Sequence, residues 1–238
     1  MEEAHSETPS VRTRLLRALR KPSRGLANVR RLIPECSNVE LNEALVVAAR
    51  RGRPDLVQEF LPLCDSTAKG RALVSAARAD HAHVLRELIP AIDSRADVES
   101  ALYDAAHNGN VDAVRELIPA CDRDAHTEAL REAAVNRNLD VIRVLVPVSD
   151  TAEAFRGVAE SLMQLIQEYG LVEAAEFADL AALDALAPYV DEAVVESVLN
   201  EVVEAPLQLL RTMPRLAAIL SAAQLRQTEP PAAIPRVH

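Results

Sequence analysis

The residues of this chain best suited to chemistry are His81-Ala82-His83 and three cysteines, Cys36, Cys64 and Cys121. Two imidazoles can hold a metal ion, but helical residues two apart point in different directions. The paired-histidine spacing of a metalloprotease is missing, as are a glycine-rich phosphate loop and a nucleophile elbow. The expectation is a non-enzymatic chain with no catalytic residue, no metal and no cofactor. The cysteines say more through their position. Each stands two residues after a proline, and Ile92 and Ser149 stand at the same offset elsewhere. Such a recurring place reads as a half-buried structural site.

Those prolines close a repeated phrase. "RELIPA" occurs at 86–91 and again at 115–120, with looser copies at 30–35, 58–63 and 142–148. Pro34, Pro62, Pro90, Pro119 and Pro147 are separated by 28, 28, 29 and 28 residues. A fixed period of this size marks a solenoid, whose units bury their apolar faces only against one another. A second phrase lies upstream. Ala44-Leu45, Ala72-Leu73, Ala101-Leu102 and Ala129-Leu130 are each followed, four residues on, by an alanine pair: 48–49, 76–77, 105–106 and 133–134. Pro188 comes 41 residues after Pro147, with Leu171 and Ala174-Ala175 in register behind it. A sixth unit is therefore expected, preceded by about thirteen extra residues whose periodicity over 152–170 predicts a lengthened first helix or an additional one. A seventh, worn unit ends at Pro214.

Each unit reads as two helices joined by a short turn. The proline removes an N–H and opposes continuation, so it marks the end of the second helix. Asn110, Asn138 and Asp179 are expected to cap second helices, and Asp65, Asp93, Asp122, Asp150 and Asp191 the first helices that follow each proline. Stacked helices lie about 10 Å apart, whereas a disulfide needs Cα atoms within about 7 Å, so the cysteines are expected to be free thiols. Composition agrees with helices: 49% of residues are apolar, Trp is absent, and glycines number six. The predicted architecture is all-α, six to seven stacked helix pairs over residues 13–228, flanked by an N-terminal tail (1–12) and a Pro-rich C-terminal tail (229–238).

"ALYDAAHNGNVDAVRELI" (101–118) resembles the helix-turn-helix of an ankyrin repeat, with Leu102, Ala105-Ala106, Gly109, Val114 and Leu117-Ile118 at the family's positions. "ALVVAARRGRPDLVQEFL" (44–61) is similar. The resemblance runs from about Leu15 to Pro214. It departs from the family in a unit some five residues shorter than the usual 33 and in lacking the Thr-Pro-Leu-His stretch with its β-finger. The fold expected is thus an ankyrin-like α-solenoid without β-hairpin fingers, and the function a protein-binding platform. The resemblance places partner-contacting residues on a concave face. Here these are Arg50, Arg51, Arg78, Tyr103, His107, Asn108, Arg131, Asn136, Glu176 and Phe177, positions that vary while the framework repeats.

Residues 12–31 carry eight basic side chains and no acidic ones, and residues 151–204 carry twelve acidic against Arg156 alone. This polarity reads as a solvated surface or as a field that steers a partner. With a net charge of −10 and no reading motif, nucleic acid is not an expected partner. No apolar run reaches the ~18 residues of a membrane span, and the polar start is not a signal peptide. "RLLRALR" (14–20) holds Arg-x-Leu-Arg twice, similar to the host-entry motif of secreted oomycete effectors, though an amphipathic helix yields the same string. Short, Ala-rich, fingerless ankyrin-like proteins occur among effectors of eukaryotic plant pathogens. That resemblance implies a host protein partner, such as a kinase or a ubiquitin-ligase component, for a monomer acting in the cytoplasm or nucleus, secreted first if it is an effector. The alternatives are a structural adaptor or self-assembling scaffold, and a cryptic enzyme or inhibitor.

Overall fold

The computed structural model describes residues 10–19, 25–169, 182–183, 185–191, 193–195 and 197. Among them every regular element is helical: an all-α, ankyrin-like solenoid built from helix pairs. The chain divides into two compact units, Met1–Ala125 and His126–His238. In the first, the pairs are α1 (Val11–Leu19) with α2 (Gly25–Leu32), α3 (Asn38–Arg50) with α4 (Pro54–Phe60), α5 (Ser66–Arg78) with α6 (Ala82–Leu88), and α7 (Arg95–Asn108) with α8 (Val111–Leu117). Next come α9 (Arg123–Val135), α10 (Leu139–Leu145) and α11 (Thr151–Tyr169). The extra residues noticed after Pro147 thus belong to one continuous 19-residue helix. The registers read at Leu171, Ala174-Ala175 and Pro214 lie outside the described residues, as does Asp179.

In the first unit the first helices α1, α3, α5 and α7 pack side by side as one layer, and the second helices α2, α4, α6 and α8 as another. The repeated alanines explain the spacing. Ala44, Ala48, Ala49, Ala72, Ala76, Ala77, Ala101, Ala105 and Ala106 are fully buried, and a methyl group lets neighbouring backbones approach closely. Gly70 also makes room for a neighbour: a Cβ there would land on the Asp97 carboxylate of α7. Leu45, Leu73 and Leu102 fill the space between layers together with Leu56, Leu85, Leu88, Val114 and Leu117. Each such side chain contributes about 1.5–3 kcal/mol by leaving water.

The prolines act as the sequence implied, with one refinement. Each α-helix stops two residues before its proline, and the proline takes the first turn of a three-residue 3-10 helix, as at Leu61–Leu63, Ile89–Ala91 and Ile118–Ala120. A 3-10 turn tolerates the missing N–H at its start. Two residues (64–65 and 121–122) or three (92–94) then lead into the next helix, with no hairpin between.

Caps match the sequence reading in part. Asp65, Asp122 and Asp150 accept from the backbone N–H three residues on, and Ser37 forms a capping box with Glu40. Asp93 does not cap. The one extra residue in its unit moves the role to Ser94, which accepts from the Asp97 N–H. Asn110 and Asn138 do not cap their own helices either. Asn110 turns backwards and donates Nδ2–H to the Ala77 carbonyl at 2.7 Å, which near the end of α5 also accepts from the Asp80 N–H. In exchange, Asp80 accepts the Ala113 N–H at 2.9 Å and so caps α8 from the preceding pair. Asp80 sits at φ 55°, the place held by Gly52 and Gly109 (φ 63° and 75°).

The same device operates one pair earlier. His81 and His83 were expected to diverge, yet both face the preceding turn. Their Nε2 atoms lie 3.2 Å from the Arg50 and Gly52 carbonyls, and their rings are 5.8 Å apart. The reason is that His81 precedes the helix, at its N-cap, so helical angles do not govern it. Each imidazole thus meets a backbone carbonyl of the preceding pair.

Two outcomes follow. Ala105→Leu overpacks the α5–α7 contact and lowers stability by about 1–3 kcal/mol, whereas Arg50→Glu changes it by less than about 0.5 kcal/mol; urea midpoints measure both. At Asp80, Asn keeps the cap and tolerates positive φ, Gly loses the cap but removes the strain, and Ala does neither. Stability should fall in the order Asp ≈ Asn > Gly > Ala, with Ala about 1–2 kcal/mol below the parent.

Candidate functional site

A helix that buries its alanines against both neighbours has one remaining edge, and the varying residues occupy it. On α3, α5 and α7 the positions Val46/Arg50, Val74/Arg78 and Tyr103/His107 are spaced i, i+4, so each pair shares a helix face. Because the three helices are adjacent, the pairs form a row across the layer. Arg50, Arg51, Arg78, Tyr103, His107 and Asn108 are all exposed, while Val46 and Val74 are half-buried. Tyr103 stands out as a large ring with 43% of its surface in water.

Some of these groups hold partners within the fold. Arg78 reaches Asp104 of the next helix at 3.1 Å, Asn108 donates to the Asp104 carbonyl at 2.6 Å, and Arg51 lies 3.4 Å from the Leu19 carbonyl at the end of α1. Asp104 was not singled out in the sequence. Its signal was available, since it occupies the place of Val47 and Ser75 in other copies. With Arg78 it gives the row a charged centre beside an aromatic.

In the second unit, Arg131 is half-buried, pairs with Glu128 at 2.6 Å, and carries its Cδ where a Cβ on Gly157 of α11 would be 3.2 Å away. Asn136 donates to the Glu132 carbonyl and carboxylate at 2.9 and 2.8 Å. Glu176 and Phe177 lie outside the described residues.

The second-helix layer is laced differently. Arg30 pairs with Glu59 and Arg86 with Glu116, both at 2.5 Å, each linking one helix pair to the next. In the first-helix layer, Arg12 of α1 grips Glu43 of α3 with two parallel hydrogen bonds of 2.8 and 2.7 Å. In all three the arginine hydrogen bond holds the glutamate pKa below its ordinary value. The cysteines are free. Burial pushes the Cys64 and Cys121 thiols up to about 11, which leaves them protonated and poor nucleophiles at neutral pH. Cys36 Sγ donates to the Leu32 carbonyl, and Ser149 Oγ to Leu145, both four residues back. In these two copies the residue two places after the proline serves a helix-end carbonyl.

Residues 73–154 match the family model of ankyrin repeats, in three copies. The match covers about a third of the chain. No curated protein matches the chain. Ankyrin repeats are a protein–protein interaction module and generally do no chemistry themselves, and the matched segment contains Arg78, Tyr103, His107 and Asn108 of the exposed row. Among the described residues no group of three His, Cys, Asp or Glu side chains could hold a metal, and no helix is long and apolar enough to cross a membrane.

A lowered glutamate pKa adds stability above the unfolded value, and that contribution is lost as pH falls through the folded one. The melting temperature should hold from pH 7 down to about 5 and decline below the ordinary glutamate value of 4.5. Glu59→Gln with Glu116→Gln should flatten that acid decline, as followed by thermal melts across the range.

Proposed function

We propose that this protein binds another protein through the row formed by Arg50, Arg51, Arg78, Tyr103, His107 and Asn108 at the exposed edge of α3, α5 and α7, and that Arg131, Asn136, Glu176 and Phe177 also take part in binding. One observation carries the reading. Within the repeat the buried alanines and leucines recur unchanged, while the exposed positions beside them differ from copy to copy. Packing does not dictate those side chains, so a partner is free to select them. Tyr103 is the natural anchor, because a half-exposed ring flanked by an ion pair can lose water on binding without leaving a buried charge unpaired.

The finer reading rests on resemblance. Short, alanine-rich ankyrin-like arrays without fingers occur among secreted effectors of plant pathogens, which supports a role as a monomeric effector inside a host cell. Its partner there would be a signalling or ubiquitin-pathway protein such as a kinase or ligase component.

The test is capture from host lysate with the parent and with Tyr103→Ala/Arg78→Ala, followed by calorimetry on the captured protein. Truncation of an aromatic or arginine anchor commonly costs about 2 kcal/mol, roughly thirtyfold in affinity. The double variant should melt like the parent and bind about thirtyfold more weakly. Equal affinity in a folded double variant refutes the assignment of this face.

A further inference from the structure

The basic stretch near the N-terminus is not spread evenly over the surface. α1 and α2 face each other with matched spacing: Arg14, Arg17 and Ala18 on one, Asn28, Arg31 and Leu32 on the other, both at i, i+3, i+4. Between them is a cleft of about 230 Å³. Ala18 and Leu32 are buried at its floor, and exposed Arg14, Arg17, Arg31 and Asn28 form its walls. One carboxylate enters from the rim: Glu35 accepts from Arg14 Nη1 at 3.0 Å. Among the described residues Arg17 and Arg31 have no carboxylate partner. Three guanidiniums thus surround a space holding one resident anion, and the cleft is left with net positive charge.

From this arrangement we infer that the α1–α2 cleft is a binding site for an anionic side chain of a peptide, a phosphoserine or a glutamate, and is separate from the row on α3, α5 and α7. Guanidiniums present planar forks of N–H groups that match the oxygens of a carboxylate or phosphate. Asn28 adds an amide donor. At about 30 Å³ per water, the cleft has room for roughly eight waters, the scale of one anionic head group with its solvent. A nucleic-acid strand fits less well. Its successive phosphates need an extended basic track with rings for the bases, whereas this cleft is short, has no aromatic lining and belongs to a chain of net charge −10. Glu35 acts as a placeholder. It occupies one fork in the empty cleft and gives way to, or competes with, the incoming anion.

Fluorescence anisotropy on the full chain tests this with three labelled peptides identical except for one central residue: phosphoserine, glutamate or serine. Binding should be tightest for phosphoserine, which brings more charge and more acceptor oxygens. It should be weaker for glutamate and undetectable for serine, and inorganic phosphate should compete. If glutamate binds as well as phosphoserine, the natural source is a carboxylate and the site stands. Arg17→Ala/Arg31→Ala should weaken binding about tenfold or more, and Arg17→Lys/Arg31→Lys by less, with both variants melting like the parent. Glu35→Gln should tighten it by about two- to fivefold by freeing the Arg14 fork. Tyr103→Ala/Arg78→Ala should leave peptide binding unchanged, so failure here and failure of the exposed row are told apart. Equal binding of the serine peptide, no loss in a folded Arg17→Ala/Arg31→Ala variant, weaker binding by Glu35→Gln, or tighter binding of a single-stranded RNA or an anionic vesicle would each overturn the assignment.

Discussion

The second helix of each pair has only seven residues in α4, α6, α8 and α10. An isolated helix of that length does not persist in water, because nucleation costs more than two turns of hydrogen bonds return. Everything else follows from the need to support it. Its apolar face rests on the first helix of its own pair and on the second helices beside it, and in the clearest case its N-terminus is closed by the pair before. Asp80 supplies the acceptor for Ala113, and Asn110 returns a donor to Ala77. Each helix end thus gains a hydrogen bond from its neighbour, so adjacent pairs share their boundary groups as well as their core.

This sharing explains which parts of the molecule were legible in the sequence. Period, helix count and the proline stop are written in residues that repeat, and 3.6-residue spacing maps them directly onto faces. The alanine pairs announced a close contact before any coordinate did. The inter-pair hydrogen bonds were not legible in the same way, because they join residues about 30 positions apart through side chains that differ in each copy: histidine to carbonyl in one junction, asparagine and aspartate in the next. Asp80 was the overlooked signal. It stands where Gly52 and Gly109 stand, and a residue with a Cβ held at positive φ needs a compensating interaction. Asn110 was misread for a related reason. An asparagine ahead of a helix is a good cap, but the Ala77 carbonyl at the end of α5 took its amide. The single residue added between Pro90 and Pro119 had a similar local effect, passing the cap from Asp93 to Ser94.

Division of labour within each first helix then leaves one edge free of packing demands. Two faces are committed to neighbours through alanine, and the remaining edge tolerates any side chain that water tolerates. Arg50, Arg78, Tyr103 and His107 are products of that freedom, which is why their positions were readable from the repeat although no chemistry of their own marked them. The α1–α2 cleft arises from the opposite circumstance. The first pair lacks the alanine pattern of its successors, its helices present arginines to each other across an open groove, and charge takes the place of packing there.

The central claim is that each pair is completed by the one before it, and amide hydrogen exchange at Ala113 tests it most directly. Ala113 lies in the first turn of α8, where backbone N–H groups have no partner within the helix. If Asp80 closes that turn, the Ala113 amide should exchange as slowly as the core amides of Ala105 and Leu117, and Asp80→Ala should expose it selectively while those two stay protected. If Ala113 instead exchanges as fast as its neighbour Asp112 in the parent protein, the helix ends are solvated individually and the account of mutually completed pairs is wrong.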